Sequence, residues 1–205
     1  MVRAARKCRP HDLIQWIKSN DERPSLSEGR RAGATMTDNV TLERGKPEQR
    51  AALDALAQLY MHDFNDFLEP DAKLDVDEDG RFKDDIGLES YWTKAENSVW
   101  LIRADGKLAG FALLDKVTRS GQPADFNMAQ FFVSRAYRGR EVASRAVVAI
   151  LDAHPGQWEI AIMLRNVPAL RFWPRAVALA RISGLETLAD EAGKTKRRLL
   201  RFVAG

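Results

Sequence analysis

The spacing of apolar residues along this chain alternates between a helical and a strand pattern. From residue 46 to residue 67 the apolar side chains recur at steps of three and four, which predicts an amphipathic helix. Pro47 and Glu48 fall in its first turn, where both residue types favour a helix start. The residues predicted to form its buried face are Leu53, Leu56, Ala57, Tyr60, Phe64 and Phe67.

Short apolar runs predict strands, and two further amphipathic segments predict helices. Asp105-Gly106 is a two-residue hairpin signal between two of the strands. The predicted strands span 40–43, 99–103, 108–116, 128–134, 158–164 and 198–203, and the further helices span 141–153 and 168–179. The first strands along the chain form hairpins, and the later strands alternate with helices. This order of elements predicts an α/β fold. We expect a mixed, mostly antiparallel sheet of six to seven strands with helices on both faces.

Positive charge is concentrated near the start of the chain. Residues 1–35 hold eight basic and four acidic side chains, whereas the whole chain has a net charge of +3, so the rest is close to neutral. We therefore expect no nucleic-acid partner for the folded part. We expect one domain over residues 36–205. Residues 1–35 are predicted to be a disordered basic extension or a stretch upstream of the true start at Met36.

Composition narrows the class of protein further. No apolar run approaches the roughly 20 residues of a membrane-spanning helix, so no membrane partner is expected. The lone Cys8 cannot form an intrachain disulfide, which is typical of a reducing compartment, and we expect a cytoplasmic protein. His11, His62 and His154 are scattered without the spacing of a metal site, so no metal is predicted.

An acidic stretch after the first helix allows two interpretations. Asp75, Asp77, Asp79 and Gly80 follow the spacing of a calcium loop, but its twelfth position is Ile86 where a bidentate glutamate is needed. The stretch is therefore either a solvated loop or a rim whose negative field attracts a cationic amine.

The segment from Phe131 to Ala143 is the strongest functional signal. An apolar strand runs into a short turn rich in Arg and Gly, and that turn opens an amphipathic helix. In such an arrangement backbone N–H groups at the helix N-terminus bind phosphate groups. The segment therefore predicts a phosphate-bearing cofactor.

Together with residues 108–114 and 165–173, this segment resembles the GNAT superfamily of acyl-CoA N-acyltransferases in order and spacing. Tyr91-Trp92 and Phe172-Trp173 are similar to a bacterial group labelled "predicted acetyltransferase". The resemblance implies an N-acetyltransferase that moves an acetyl group from acetyl-CoA directly to an amine of a small molecule, amino acid or peptide. The alternative is a GNAT-fold binding or regulatory module with weak or no activity. A homodimer is left open.

The resemblance also implies which residues bind the cofactor. The loop would hold the CoA pyrophosphate on backbone N–H groups and arginines, and the strand backbone would pair with the pantetheine amides. A main-chain N–H near Val133 would polarise the acyl carbonyl. The implied set is Phe131, Phe132, Val133, Arg138, Gly139, Arg140, Val142, Ala143, Asn166 and Phe172.

Three residues depart from the family's pattern. Glu141 stands where the family has a loop glycine, which predicts a carboxylate beside the phosphates and weaker CoA binding. Trp173 stands where many members have a tyrosine that protonates the departing thiolate, so a solvent proton is expected to serve instead. Pro174 predicts a kink or a later start of the last helix, because proline inside a helix costs about 3 kcal/mol.

The general base has only positional candidates. An amine arrives protonated and must lose a proton before it attacks a thioester, so a carboxylate or histidine is expected near the fourth strand. Asp125 directly precedes this strand, and His62 and Asp63 lie on the first helix. These three are the predicted catalytic residues, with a solvated helix face as the alternative for His62 and Asp63.

Overall fold

The computed structural model describes residues 39–83, 86–192 and 195–205, so the expectation for residues 1–35 lies outside the described residues. In these ranges seven strands form one sheet in the order β1-β2-β3-β4-β5-β7-β6. The strands are β1 (Val40–Arg44), β2 (Ser98–Ala104), β3 (Lys107–Asp115), β4 (Phe126–Val133), β5 (Gly156–Met163), β6 (Ile182–Asp190) and β7 (Arg197–Ala204). The helices are α1 (Arg50–Asn65), the single turn α2 (Ser90–Thr93), α3 (Val142–Ala153) and α4 (Val167–Val177).

Neighbouring strands run antiparallel, except for β4 and β5, which are parallel. Helices cover both faces of the sheet. On one face, called the α1 face below, Leu53 and Met61 pack against Phe111 of β3. On the other, the α3/α4 face, Ile150 of α3 packs into a core around Trp158 of β5. The predicted fold class is confirmed.

α1 matches the predicted first helix but is shorter at both ends. A 3₁₀ turn over Pro47–Gln49 precedes it, and the helix itself begins at Arg50 and ends at Asn65. Phe67 therefore lies beyond the helix, although it was predicted on its buried face. The predicted residues that are buried in α1 are Leu53, Leu56, Ala57 and Tyr60.

β6 has no counterpart among the predicted strands. It is the edge strand of the sheet, paired on one side only, and most of its side chains are half-buried or exposed. Its register also shifts between Ser183 and Glu186, around Gly184. An edge strand with an interrupted register shows no regular alternation, because only part of it faces a core.

Pro174 lies inside α4 without ending it. The helix begins at Val167, one residue earlier than predicted, and continues to Val177. Of the two predicted consequences of Pro174, a kink or a later start, the later start does not occur. The proline removes only the N–H that would have bonded the carbonyl of Leu170, and its ring is buried with the apolar face of the helix.

Candidate active site

β4 and β5 diverge from a short parallel contact. Their pairing ends at Asn127 and Glu159, although the strands continue to Val133 and Met163. A cavity of about 370 Å³ lies at the divergence. It is lined by both strands, by residues of α1 on one face and by residues of α4 on the other. The cavity therefore connects the two faces of the sheet.

Backbone groups of β4 face this gap. The Ser134 N–H donates to the Ala109 carbonyl at 2.9 Å, so the adjacent Gly110–Val133 pair is a non-hydrogen-bonded pair of the β3–β4 ladder. The N–H and C=O of Val133 therefore point away from β3 and toward the gap. By the alternation of the ladder, those of Phe131 do the same. An extended ligand can pair with these groups as an additional strand.

A β-bulge reshapes β4 beside the cavity. The register shifts between Leu113 and Leu114, which leaves Ala129 of β4 as the extra residue. Ala129 packs on the α1-face core, and the next residue, Gln130, accepts a hydrogen bond from the Tyr60 hydroxyl on the same face. Burial raises the pKa of Tyr60, so the phenol stays protonated as a donor. The bulge thus brings an amide and a phenol to the cavity wall.

The loop between β4 and α3 leaves the start of that helix open. Gly139 and Glu141 have φ angles of 74° and 60°, and the side chain of Glu141, the N-cap residue, does not cap α3. The first N–H groups of a helix have no intrahelical partner, and the helix dipole makes this end partly positive. These groups therefore form an anion-binding site of the kind that holds phosphate.

Glu141 supplies the left-handed residue of this loop. Glycine adopts a positive φ freely, whereas a residue with a side chain does so at a cost of about 1 kcal/mol. The Glu141 side chain is 71% exposed, and its carboxylate lies 3.4 Å from Arg145 in the next turn. Glu141 was predicted to weaken cofactor binding by placing its carboxylate beside the phosphates. In the structure this carboxylate points toward Arg145.

Arg138 connects β4, the loop and α1. Its Nε donates to the Val133 carbonyl at 2.9 Å and its Nη2 donates to Asp63 at 2.6 Å, while Arg135 donates to the other Asp63 oxygen at 2.7 Å. Burial alone would raise the pKa of Asp63, but the hydrogen bonds from Arg138 and Arg135 lower it below its usual value. Two guanidinium groups hold Asp63 as an anion, which makes it a poor proton acceptor.

Aromatic rings and one amide form the cavity wall on the α3/α4 face. The Asn166 Oδ1 accepts from the Ala169 N–H at 3.0 Å and caps α4, which leaves its NH₂ group to donate to a ligand. Phe131 stacks on Phe172 with ring centroids 6.0 Å apart and meets Trp173 edge-on at 5.3 Å. Asn166 and Trp173 both line the cavity.

A buried carboxylate lines the cavity on the α1 face. Asp115, the last residue of β3, is 9% exposed. Its Oδ1 accepts from the Val117 N–H at 2.9 Å and the Asn127 amide at 2.8 Å, and its Oδ2 accepts from the Tyr91 hydroxyl at 2.7 Å. Burial, and then the hydrogen bond to Asp115, raise the pKa of Tyr91, so the phenol stays protonated. All three donors are neutral, and Oδ2 keeps a lone pair for a proton or an ammonium group.

Comparison with known families decides which family this geometry represents. A sequence model of the acetyltransferase (GNAT) family matches residues 53–177, more than half of the chain. The chain belongs to the GNAT acetyltransferase family. A comparison with curated protein sequences finds no match.

Solved GNAT structures share the fold of this chain. The spermidine N-acetyltransferase from Vibrio cholerae, in complex with CoA and spermine, is 12% identical and aligns with a TM-score of 0.52 over 80% of this chain and 95% of that chain. A variant of the spermidine N-acetyltransferase from the same organism is 10% identical, with a TM-score of 0.50 over 80% of this chain and 93% of that chain. At these identities the likeness extends to the fold alone.

The predicted cofactor residues of this GNAT chain follow one continuous path. Phe131–Val133 end β4, Arg138–Arg140 form the loop, and Val142 and Ala143 open α3, while Asn166 and Phe172 lie across the gap on or beside α4. The Phe132 side chain departs from this path, because it is buried in the α1-face core beneath the Arg138 guanidinium. Its backbone N–H and C=O face β3 in the ladder, so neither they nor its side chain face the gap.

The three predicted bases do not line the cavity. Asp125 is exposed and accepts from the Gln157 N–H at 2.9 Å, at the paired end of β4 and β5. The His62 side chain is 71% exposed on α1. Asp63 is held in its two ion pairs. Sequence reasoning missed Asp115, although an acid directly after the apolar run of β3 was visible as a signal.

The acidic stretch and the apolar elements add two observations. Asp77 accepts hydrogen bonds from the backbone of Asp79 and Arg81, so its carboxylate closes its own loop. Among the residues that the structure describes, no group of three or more His, Cys, Asp or Glu side chains is placed to hold a metal ion. In the same part of the chain no helix is both long enough and apolar enough to cross a membrane.

Proposed function

We propose that this GNAT chain is an N-acetyltransferase that moves an acetyl group from acetyl-CoA directly to the amine of a small molecule, amino acid or peptide. One observation carries the proposal. β4 diverges from β5 toward the loop that opens α3, and the cavity at this divergence is lined by the carboxylate of Asp115, which accepts hydrogen bonds from a phenol, an amide and a backbone N–H.

The residues of the α3/α4 face suit acetyl-CoA. The open N–H groups at the start of α3 would bind the pyrophosphate, with Arg138 and Arg140 adding positive charge. The Val133 N–H and the Phe131 carbonyl would pair with the pantetheine amides in the gap. The NH₂ group of Asn166 would donate to the same arm.

The acceptor would enter from the α1 face. Its amine attacks the thioester carbon, so a C–N bond forms while the C–S bond breaks and CoA leaves as a thiolate. The nitrogen gives up two protons. Asp115 receives the one that the ammonium loses before the attack, directly or through a water molecule, and the one lost as the amide forms passes to solvent. The Phe131 N–H, which faces the gap where Phe131 lines the cavity, stabilises the negative charge that develops on the carbonyl oxygen. The thiolate takes its proton from solvent, because the indole N–H of Trp173 is too weak an acid.

Calorimetric titration of the full chain with acetyl-CoA tests the cofactor site. Ala143→Asp places a carboxylate in the first turn of α3, where the phosphates would lie, and we expect it to abolish binding. Ala51→Asp makes the same change at the same position of α1 and serves as the matched control, since acids near a helix start are tolerated. Far-UV circular dichroism checks that both variants fold.

Absence of acetyl-CoA binding to the folded wild-type chain would overturn the proposal. If acetyl-CoA binds, an assay of thiol release with a panel of amines tests the transfer step. Binding without thiol release for any amine would instead identify the chain as a non-catalytic GNAT module.

A further inference from the structure

Two arginines line the same cavity as Asp115. Arg119 lies in the loop between β3 and β4, and Arg197 is the first residue of β7. Leu200 and Phe202 of β7 pack into the core of the α3/α4 face. Since side chains alternate along a strand, Arg197 lies on the α1 face, the face on which an acceptor would enter.

Arg119 and Arg197 are less strongly paired with carboxylates than their neighbour Arg201 is. Arg201 donates to the Glu159 carboxylate at 2.8 Å. The carboxylate paired with Arg197 is that of Asp190, and it is 3.8 Å away. Within the ranges that the structure describes, no carboxylate lies at ion-pair distance from the Arg119 guanidinium group. The α1-face part of the cavity wall therefore presents two guanidinium groups beside one carboxylate, that of Asp115.

Contacts to the buried Glu159–Arg201 pair fix the loop that carries Arg119. The N–H groups of Arg119 and Ser120 both donate to Glu159, whose side chain is fully buried. Arg201 in turn donates to the Ser120 hydroxyl and to the Pro123 carbonyl, each at 2.9 Å. The Arg119 backbone is thus anchored beside the cavity.

The two guanidinium groups also influence each other. Burial, and then the charge of Arg119, lower the pKa of Arg197, and Asp190 opposes this only in part. Two like charges at one half-buried site repel each other, and a bound anion relieves that repulsion. A planar carboxylate matches the fork of a guanidinium group in a bidentate way.

We infer that the acceptor is a free amino acid, whose carboxylate binds Arg119 and Arg197 and whose amine is directed toward Asp115. The inference rests on the proposed function. The cavity of about 370 Å³ must also hold the acyl end of the cofactor, so the acceptor is a small molecule. A polyamine is disfavoured, because it would bring cations against two arginines.

Thiol release by the full chain, with acetyl-CoA and each of the common amino acids paired with its own amide, tests the inference. An amide keeps the amine and lacks only the negative charge. We expect a kcat/KM for the preferred amino acid about 100-fold above that for its amide, since the arginines would be left without a partner.

Variants separate a binding role from a structural one. Arg119→Gln and Arg197→Gln should each raise the KM for the amino acid about 10-fold or more, with little change in kcat and none in the rate with the amide. Arg175→Gln is the matched control, because Arg175 is an exposed arginine on α4. It should change neither substrate's kinetics.

Three outcomes would overturn the inference while leaving the proposed function intact. They are equal use of amino acids and amides, faster acetylation of spermidine or of an aminophosphonate, and an equal loss of activity toward both members of a pair in the arginine variants.

A measurement of thermal stability without cofactor is independent of catalysis. N-acetyl amino acids should raise the melting temperature more than N-acetyl amino amides do, and equal shifts would also contradict the inference.

Discussion

Asp63 and Asp115 are both shielded carboxylates near the gap between β4 and β5, yet their donors differ in charge. Asp63 receives hydrogen bonds from two guanidinium groups, Arg135 and Arg138. Asp115 receives them from a phenol, an amide and a backbone N–H. Arginine donors neutralise a carboxylate and keep it occupied, whereas neutral donors orient it and leave its charge available. The partners of an acid therefore indicate its role better than its place in the sequence does.

Replacement of each acid by its isosteric amide tests this difference in role most directly. If Asp115 receives the proton of the amine, Asp115→Asn should lower kcat about 10²- to 10⁴-fold, the usual contribution of a general base. Acetyl-CoA affinity should not change, because Asp115 lies on the other face of the sheet from the α3 N-terminus. Thiol-release kinetics at saturating substrate measure the effect.

Asp63→Asn is the matched control for that experiment. It should leave kcat within a few-fold of the wild type, because Asp63 does not line the cavity. A loss of kcat in Asp63→Asn as large as in Asp115→Asn would contradict the assignment of roles.

The stability of Asp63→Asn should depend on pH. The pKa of Asp63 is lowered in the folded state, so its stabilising effect is complete above the unfolded pKa of about 3.9 and is lost as the pH falls through the folded pKa. We expect the variant to lose about 1 kcal/mol of unfolding free energy at pH 7 and progressively less below about pH 4. Urea unfolding at several pH values measures this difference.

Asp66→Asn provides the reference for the pH experiment. Asp66 is an exposed acid at the end of the same helix, and its replacement should change the unfolding free energy by less than about 0.5 kcal/mol. A loss for Asp63→Asn that is equal at pH 7 and pH 3 would show that shape, and not charge, stabilises this site.

Glu141 extends the comparison to an acid whose backbone matters more than its charge. Glu141→Gly should raise the unfolding free energy by about 1 kcal/mol, because it removes a side chain from a left-handed position. For a chain of this size that corresponds to a rise of about 2–4 °C in melting temperature. Glu141→Gln removes the charge but keeps the left-handed side chain, so it should give no such rise. Equal effects of the two variants would assign the gain to charge.

The sequence predicted those elements well whose apolar residues pack into the buried cores. The runs of β3 and β4 and the stripe of α1 lie within buried cores, so their positions were predicted closely. β6 lies at an edge with an interrupted register, and no periodic signal marks it. The start of α4 was predicted to within one residue, and Pro174 does not delay it.

The candidate site was only partly predictable, for a physical reason. The cofactor path runs through consecutive residues from Phe131 to Ala143, so one motif contains most of it. The proposed acceptor site combines Asp115, Arg119 and Arg197, which come from separate segments that only the folded sheet brings to one cavity. Local spacing favoured Asp63 and His62 instead, since the tertiary partners of an acid are not visible in sequence.

The short pairing between β4 and β5 divides the sheet into two parts, β1–β4 and β5–β7. Among the described residues, two residue pairs join β1–β4 to β5–β7, so few main-chain hydrogen bonds resist the separation of these two parts. The side-chain core under α3 and α4 holds them together. An extended ligand in the gap would add main-chain hydrogen bonds between β4 and β5, where the sheet has few. Ligand binding in the gap should therefore stabilise the sheet, and the ligand-bound protein should be more rigid than the free protein.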